Sequence, residues 1–303
     1  MNYTLNQLNI FQKVVEHKSV SRASEALHLT QPAVSIQLKN FQQNFSIPLT
    51  EIVGRQLYIT EFGHDIYQIV SQILNKTDEI NFKTLAFQGQ LTGSLKLSIV
   101  STAKYVMPYF ISGFMNENSG VTLKMDVTNK YQVIDSLQNN EVDFSLVSIL
   151  PENIKVDFIH LLPNKLHLIA SNELKTPLKA DFNFLKNQSL IYRELGSGTR
   201  QTMESYLIEN KVQVDKKIVL TSNEAVKQSV LAGLGISIMP IIGIKRELKS
   251  NDLKIIHIKG LPIETQWYLI WLKGKKHSPI AKALLKHIET HKASIVEKHF
   301  QDM

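Results

Sequence analysis

The first fifty residues place apolar side chains at the spacing of helices. Apolar residues recur every three or four positions from the start of the chain, which predicts an amphipathic helix. Ser21 is a candidate cap for a second helix and Thr30 for a third. Pro32 falls in the first turn of the third helix, where a missing N–H costs nothing. The apolar positions that define the three helices are Leu5, Leu8, Phe11, Val14, Val15, Ala23, Ala26, Leu27, Ala33, Val34, Leu38, Phe41 and Phe45.

The pattern changes over EIVGRQLYIT, residues 51–60. Gly54 separates two short extended segments, and Leu57 and Ile59 alternate with polar residues, which predicts a β-hairpin. Three helices followed by a hairpin make a winged helix-turn-helix. Thr60 then caps a long helix that ends near Phe87. Its single apolar stripe needs a partner, and a second copy of the chain is the obvious one. The stripe contains Phe62, Ile66, Ile69, Val70, Ile73, Leu74, Ile80 and Leu85.

From Ser94 onward, short apolar runs alternate with helical patterns, which is typical of an α/β fold. The length leaves room for two small subdomains. We expect the last strand and helix to return to the first subdomain, so that a cleft lies between two lobes. The predicted strands are SLKLSIV, VTLKMDV, VDFSLVS, LHLIAS, SLIYR, KIVLTS, GISIMP, LKIIHI and QWYLIWL. The predicted helices are Tyr105–Asn116, Gln132–Asn139, Thr199–Asn210, Asn223–Ala232 and Ser278–Thr290.

Composition narrows the class of protein. The chain has 303 residues, of which 43% are hydrophobic and 20% charged, enough apolar material for two or three folded domains. No apolar run approaches the roughly 18 residues of a membrane span, and the first residues lack the pattern of a signal peptide. The absence of cysteine rules out disulfides and thiolate metal sites. We therefore expect a cytoplasmic protein without a membrane partner.

Charge does not by itself predict a nucleic-acid partner. The net charge is +7, but residues 1–89 hold seven Lys or Arg against seven Asp or Glu. The predicted winged helix-turn-helix and long helix are therefore neutral together. A DNA-binding function has to rest on the pattern of particular side chains.

The third predicted helix carries such a pattern. Gln31, Ser35 and Lys39 are spaced so that they lie near one face. Gln pairs with adenine, Ser reaches bases or phosphates, and Lys reaches guanine or phosphate. Pro32 and Ala33 can touch thymine methyl groups. Spacing alone leaves two interpretations open, a DNA-reading helix and an ordinary three-helix bundle with a polar surface.

A resemblance decides between them. The stretch LNQLNIFQKVVEHKSVSRASEALHLTQPAVSIQLKNF, residues 5–41, resembles the DNA-binding domain of LysR-type transcriptional regulators, and the resemblance continues over nearly the whole chain. It implies a winged helix-turn-helix at 1–60 and a linker and dimerisation helix at 61–89. It also implies a two-lobed, periplasmic-binding-protein-like effector domain at 90–303. Lobe I would span about 93–163 and 267–295, and lobe II about 164–266.

The resemblance also implies the partners. They are a double-stranded DNA operator, a small anionic effector and further copies of the chain in a homotetramer built as a dimer of dimers. RNA polymerase is a candidate further partner. The residues expected to contact DNA are Gln31, Pro32, Ser35, Lys39 and Arg55.

Two positions depart from the family pattern near the wing. The family usually has PLFER where this chain has PLTEI, residues 48–52. Thr50 replaces a core phenylalanine, and Ile52 replaces an arginine that typically meets the DNA backbone. The usual Leu-Glu after the third helix is Phe41-Gln42.

Three stretches of the second part have the character of an anion site. VSTAKY and YRELGSGTRQ place hydroxyls and basic residues where a helix begins, and TSNEAVK offers a third capped helix through Ser222 or Asn223. A capped loop with solvated arginines is the alternative. By resemblance to regulators of carbon-fixation operons, the effector would be a sugar phosphate, phosphoglycolate, 2-oxoglutarate or a reduced dinucleotide, bound without another cofactor. The expected effector-binding residues are Ser101, Thr102, Lys104, Arg193, Glu194, Ser197, Thr199 and Arg200.

The effector's identity stays open at this point. The RExGSGTR string also occurs in sulfite-responsive relatives, and DFSLVS departs at Val147 and Ser148 from the carbon-fixation pattern. A solute-binding protein without a DNA role is a further alternative. No enzyme is expected, because motifs such as GxSxG and HExxH are missing. His287 and His291 could meet a metal, but a solvated helix face is the favoured interpretation, so no metal site is expected.

Overall fold

The computed structural model describes residues 3–54, 56–87, 91–177 and 180–301. It divides the chain into two compact units, Met1–Gln90 and Leu91–Met303. None of the described helices combines the length and the apolar character that a bilayer crossing requires. The first unit consists of helices α1 (Leu5–His17), α2 (Val20–Leu27) and α3 (Gln31–Gln42), strands β1 (Thr50–Val53) and β2 (Gln56–Ile59), and helix α4 (Glu61–Phe87).

The three predicted helices and the hairpin of the first unit are confirmed. Gly54 sits at the hairpin tip with φ of +58°, a conformation that favours glycine. Thr60 accepts a hydrogen bond from the N–H of Gly63 at 2.9 Å and begins α4 as expected. The core combines aliphatic residues of α1 and α3 with an aromatic chain that links Phe11, Phe41 and Phe45 through ring-centroid distances of 5.2 Å.

Three details differ from the sequence-based prediction. The cap of α2 is Ser19, not Ser21, because Lys18 ends α1 in a left-handed conformation and α2 begins two residues earlier than expected. The inner face of α2 buries Ser24 in place of Ala26. Leu5 begins α1 but is 52% exposed.

The long helix α4 has two apolar faces where the sequence suggested a single stripe. Phe62, Ile66, Val70 and Leu74, spaced four apart, pack against the core of their own unit. A second set stays exposed, and it comprises Ile69, Ile73 and Ile80. Leu85 lies in a part of the helix whose side chains are not described.

The second unit is built on a seven-stranded mixed sheet with the order β10-β6-β11-β5-β3-β4 and with β9 paired to β6. A parallel pair, β7 and β8, forms a separate sheet. The strands are β3 (Gly93–Val100), β4 (Val121–Thr128), β5 (Phe144–Val147), β6 (Val156–Ser171), β7 (Leu190–Arg193), β8 (Lys217–Leu220), β9 (Ser237–Pro240), β10 (Leu253–Ile256) and β11 (Ile263–Leu272).

The helices of the second unit follow the prediction, with two short additions, α7 and α10. Two 3₁₀ turns, Ser101–Tyr105 and Ile241–Gly243, also form. The helices are α5 (Met107–Glu117), α6 (Lys130–Gln138), α7 (Phe182–Lys186), α8 (Gly198–Glu209), α9 (Asn223–Leu231), α10 (Lys245–Lys249) and α11 (Pro279–Phe300).

Two long strands connect the two lobes of the second unit. In β6, Leu161 belongs to the core of the first lobe and Leu168 to that of the second. Strand β11 returns from Ile263 beside the second core to Trp267 in the first. Helix α11 then packs Leu284 into the first core. The predicted return of the last strand and helix is confirmed, and the chain crosses between the lobes twice.

Candidate functional site

A pocket lies between the lobes of the second unit where strands end and helices begin. It holds about 310 Å³ of space, including the part open to solvent. The first lobe contributes the residues that follow β3, β4 and β5, and the second lobe contributes the end of β7 and the start of α8. The lining residues are Val100, Ser101, Thr102, Thr128, Asn129, Lys130, Val147, Ser148, Ile149, Arg193, Ser197, Gly198 and Thr199.

Two helices begin at this interlobe pocket, and their first residues line it. Asn129 caps α6 and accepts from the N–H of Gln132 at 3.0 Å. Ser197 caps α8 and accepts from the N–H of Arg200 at 3.5 Å. The N-terminus of a helix carries a partial positive charge and unpaired donors, so the arrangement favours an anion.

Gly198 brings the start of α8 close to the first lobe. A Cβ at this position would lie 3.6 Å from Ser148 Oγ, 3.7 Å from Ile149 Cδ1 and 3.9 Å from Lys130 Cδ. These are ordinary van der Waals distances, so the added atom would fill space that is now open. The glycine therefore keeps the mouth of the interlobe pocket clear between the lobes.

Arg193 is the most buried charge in the interlobe pocket, with 4% of its surface exposed. Its Nη1 donates to Ser101 Oγ at 2.9 Å, which ties the second lobe to the first. Its Nε and Nη2 donate to the two carboxylate oxygens of Glu194 at 2.8 and 2.9 Å. Glu194 does not line the pocket. It holds the guanidinium in place and offsets the cost of burying it.

Lys130 supplies a second cation that the sequence-based list missed. Its Nζ donates to Gln201 Oε1 at 3.2 Å, so it too reaches from the first lobe to the second. Burial lowers the pKa of Lys130, and the nearby carboxylate of Glu152 partly opposes this. The sequence signal was available, because TNK at 128–130 follows a strand and opens a helix just as VST does at 100–102.

The structure brings together five of the eight predicted effector residues, Ser101, Thr102, Arg193, Ser197 and Thr199. Arg200 turns away, donating to Glu204 Oε1 at 2.8 Å and to the Arg193 carbonyl at 3.1 Å. The side chain of Lys104 lies over the Tyr105 ring and lines a different cavity. Ser222 caps α9, and neither it nor Asn223 lines the interlobe pocket.

In the first unit, helix α3 exposes the predicted DNA-contacting face. Gln31, Pro32, Ser35 and Lys39 are all exposed, while the opposite side of the helix packs into the core. Arg55 lies outside the described residues. The helix thus presents short polar groups outward at its N-terminal turns, which suits base edges in a major groove.

The departures near the wing have a structural explanation. The Thr50 hydroxyl donates to Gln42 Oε1 at 2.9 Å, so these two residues that differ from the family pattern form a hydrogen bond with each other. Ile52 is 75% exposed and makes no contribution to the core. Replacement of an arginine by isoleucine here therefore changes the surface of the wing and leaves the packing beneath it intact.

No group of three or more metal-binding side chains occurs among the described residues. The rings of His287 and His291 lie 4.4 Å apart on α11, and His291 Nδ1 is 2.9 Å from the His287 carbonyl oxygen. The two histidines lie close together because they are one turn apart on the same helix.

Comparison with known proteins identifies both units. The family model described as "Bacterial regulatory helix-turn-helix protein, lysR family" matches residues 5–64, and "LysR substrate binding domain" matches residues 88–293. The transcriptional activator CmpR of Synechocystis sp. is 32% identical over 97% of each chain. The RuBisCO operon transcriptional regulator of Allochromatium vinosum is 34% identical over 95% of this chain and 96% of its own.

A solved structure adds detail for the second unit. The regulatory domain of Synechocystis CcmR, in complex with 2-PG, is 31% identical and superposes with a TM-score of 0.62. The match covers 70% of this chain and 99% of that domain. Such relatives are regulators and not enzymes. The chain belongs to the LysR family of DNA-binding transcriptional regulators.

Proposed function

We propose that this regulator controls genes of carbon fixation and that a small anionic metabolite of the 2-phosphoglycolate class sets its affinity for operator DNA. The metabolite binds in the interlobe pocket, held by Ser101, Thr102, Lys130, Arg193, Ser197 and Thr199. Binding draws the lobes together and changes how copies of the chain pack, because a ligand shifts an equilibrium only through different affinities for its two states.

The convergence of positive groups on the interlobe pocket is the observation that carries this proposal. Two helix N-termini, Arg193 and Lys130 surround the space, and no carboxylate is among the described residues that line it. Hydroxyl groups supply further donors with little charge of their own.

The choice of 2-phosphoglycolate rests on relatives. The CcmR regulatory domain has 2-PG bound, and RuBisCO operon regulators are among the similar proteins. A phosphate and a carboxylate on one small molecule would match the two cations that reach the interlobe pocket from opposite lobes.

For DNA we retain Gln31, Pro32, Ser35, Lys39 and Arg55 as the contact residues. The exposed face of α3 supports the first four. Two copies would place their α3 helices in successive major grooves of a pseudo-palindromic operator, and a dimer of dimers would span a longer site. A protein that binds chromosomal operators works in the cytoplasm, and contact with RNA polymerase would transmit its effect.

We also retain the division into 1–60, 61–89 and 90–303, with lobe I at about 93–163 and 267–295 and lobe II at about 164–266. The boundary between the two compact units after Gln90 supports it. The separate cores of the two lobes, joined by β6 and β11, support the finer division.

Thermal-shift titration of the full chain tests the effector. We expect 2-phosphoglycolate to raise the melting temperature by mass action, and sulfite or thiosulfate to have a smaller effect. Lys130→Gln should weaken 2-phosphoglycolate about tenfold, the size of one lost charge-assisted hydrogen bond. Lys124→Gln, an exposed change on β4, is the matched control. Stabilisation by sulfur oxyanions alone would instead favour the sulfur-responsive alternative.

Operator binding is tested on the promoter upstream of the regulator's own gene. In a gel-shift titration, Gln31→Ala combined with Ser35→Ala should abolish the preference for operator over random DNA while 2-phosphoglycolate binding persists. Gln43→Ala, at the far end of α3, should bind like the wild type. Retained operator preference in the double variant would refute the assignment of these contacts.

A further inference from the structure

A second cavity in the effector unit shares the 3₁₀ turn Ser101–Tyr105 with the interlobe pocket. Ser101 and Thr102 line the pocket, whereas Lys104 and Tyr105 line the second cavity. The cavity holds about 1330 Å³ by the same measure as the 310 Å³ of the pocket. Its walls come from the turn, α5 and the end of α11 on the first lobe, and from α9, Ile241–Gly243 and α10 on the second.

Basic side chains outnumber acidic ones around the second cavity. Among the described residues that line it, Lys104, Lys227, Lys245 and Arg246 face only two carboxylates. Those two, Glu224 and Glu247, are already engaged. Lys227 Nζ lies 3.1 Å from Glu224 Oε1 and 2.8 Å from Glu247 Oε1.

Three of these cations form no ion pair with a described residue, although the charge of Lys104 helps to lower the pKa of Glu224. Lys104 contacts the Tyr105 ring, with Nζ 5.1 Å from its centroid, and forms no ion pair with a described residue. Lys245 and Arg246 likewise form none. Lys104 comes from the first lobe and the other two from the second, so an anion between them would bridge the lobes.

Packing contacts and a hydrogen bond hold the other walls of the second cavity in place. Phe300 is buried and stacks on Phe110 with a centroid distance of 6.1 Å, which fixes the end of α11 against α5. His299 and Phe300 lie beyond residue 293, where the match to the family domain ends. The Tyr105 hydroxyl donates to Glu224 Oε2 at 3.5 Å, which links the first lobe to the second.

An unpaired polar group lies against this wall. Asn223 is 1% exposed, and neither its Oδ1 nor its Nδ2 has a hydrogen-bond partner among the described residues. Its Nδ2 would lie 3.2 Å from a Cβ on Gly243, and Gly243 and Tyr105 are both wall residues. A buried amide without a partner is costly, and this one lies behind two residues of the cavity wall.

We propose that the second cavity is a separate binding site for a polyanion, with Lys104 on one lobe and Lys245 and Arg246 on the other as its ligands. A compound with two or more negative charges, such as a bisphosphate or diphosphate, matches three uncommitted cations on two lobes. The site is independent of the residues that hold the first effector.

Isothermal titration of the full chain with inorganic pyrophosphate tests this site. Pyrophosphate should bind the wild type and Lys130→Gln with equal affinity, and it should still bind when 2-phosphoglycolate saturates the interlobe pocket. Lys104→Gln and the double change Lys245→Gln with Arg246→Gln should each weaken binding about tenfold or more. Lys249→Gln, on an exposed position of the same helix α10, is the matched control.

Two outcomes would overturn the proposal. One is wild-type affinity for pyrophosphate in both Lys104→Gln and the double variant. The other is loss of pyrophosphate binding in Lys130→Gln, which would place the anion in the interlobe pocket. Because pyrophosphate is titrated alone as well, the result stands whether or not 2-phosphoglycolate proves to be the first effector.

Discussion

Gly198 keeps space open in the interlobe pocket because it lacks a single atom, the Cβ. Replacing it with alanine adds a Cβ at ordinary contact distance from three residues of the first lobe, so the fold should tolerate the change. The new methyl group occupies the place where an anion meets the first N–H groups of α8. We expect Gly198→Ala to keep its melting temperature and to bind 2-phosphoglycolate about tenfold more weakly, as measured by calorimetry.

Gly235→Ala provides the contrast for that measurement. A Cβ there would stand 2.2 Å from the Ser189 carbonyl oxygen, so the backbone must shift. This change should destabilise the protein by about 1–3 kcal/mol. Equal stability of the two alanine variants would show that the interpretation of these glycines is wrong.

A substitution at Ile52 should increase the affinity for DNA. Its side chain is exposed on the wing, where the family pattern has an arginine that meets the DNA backbone. Ile52→Arg should tighten operator binding and steepen the plot of log K against log salt by about 0.9 for each bound copy. Val219→Arg adds the same charge on the exposed strand β8 and should leave the slope unchanged.

At the residue scale, the sequence predicted those site residues that follow an obvious strand end or glycine turn. It missed Lys130 because TNK lacks the glycines and adjacent hydroxyls of the other two stretches, although it follows a strand and opens a helix as VST does. It placed Arg200 in the interlobe pocket because adjacency in sequence suggested adjacency in space. In the helix, Arg200 instead lies one turn before Glu204 and pairs with it.

At the element scale, helix α4 exposes an apolar edge that suits self-association. Ile69 is 54% exposed, and Ile73 lies one turn further on the same face. Replacing both with glutamate should weaken the dimer at least about tenfold and reduce operator affinity, because charges would enter an apolar seam. Light scattering after size exclusion measures the change. Gln72→Glu, an exposed polar position between them, should leave the dimer intact.

The connection between β11 and α11 contains a half-buried histidine that should make stability depend on pH. His277 stacks on Phe144 with a centroid distance of 5.2 Å and meets Trp271 edge to face at 5.4 Å. Burial, followed by the charge of Lys275, lowers its pKa from the ordinary value of 6.5. Further charges that act on it are Asp143, Lys282 and Asp157.

This lowered pKa fixes the direction of the effect. The unfolded chain takes up a proton at His277 below about pH 6.5, whereas the folded protein resists it. The stabilisation is therefore complete above that pH and is lost as the pH falls through the folded value. His277→Phe should show a smaller drop in melting temperature than the wild type from about pH 7.5 to about pH 5.5. His64→Gln, an exposed change, should behave like the wild type.

The elements that the sequence missed have specific physical causes. The first half of β6 contains Pro163, which argues against a strand. In the structure Pro163 lies opposite Gln266, where the register of β6 and β11 shifts and a missing N–H costs little. The early start of α2 depends on Lys18 in a left-handed conformation, which is rare for a lysine.

At the scale of the whole molecule, most of what the sequence predicted about function came from the family resemblance. The spacing of hydrophobic residues predicted the helices and the α/β pattern. It could not distinguish a DNA-binding domain from an ordinary three-helix bundle. The LysR family match to both units decides it. Because residues 1–89 are neutral in sum, we expect affinity for DNA to depend more on joining copies of the chain than on a basic surface.

The short turn Ser101–Tyr105 has a further consequence for signalling. Its first two residues belong to one cavity and its last two to the other, so an occupant of either restrains the same five residues. We expect such a turn to couple the two proposed sites, so that the response to one anion is graded by the concentration of the other.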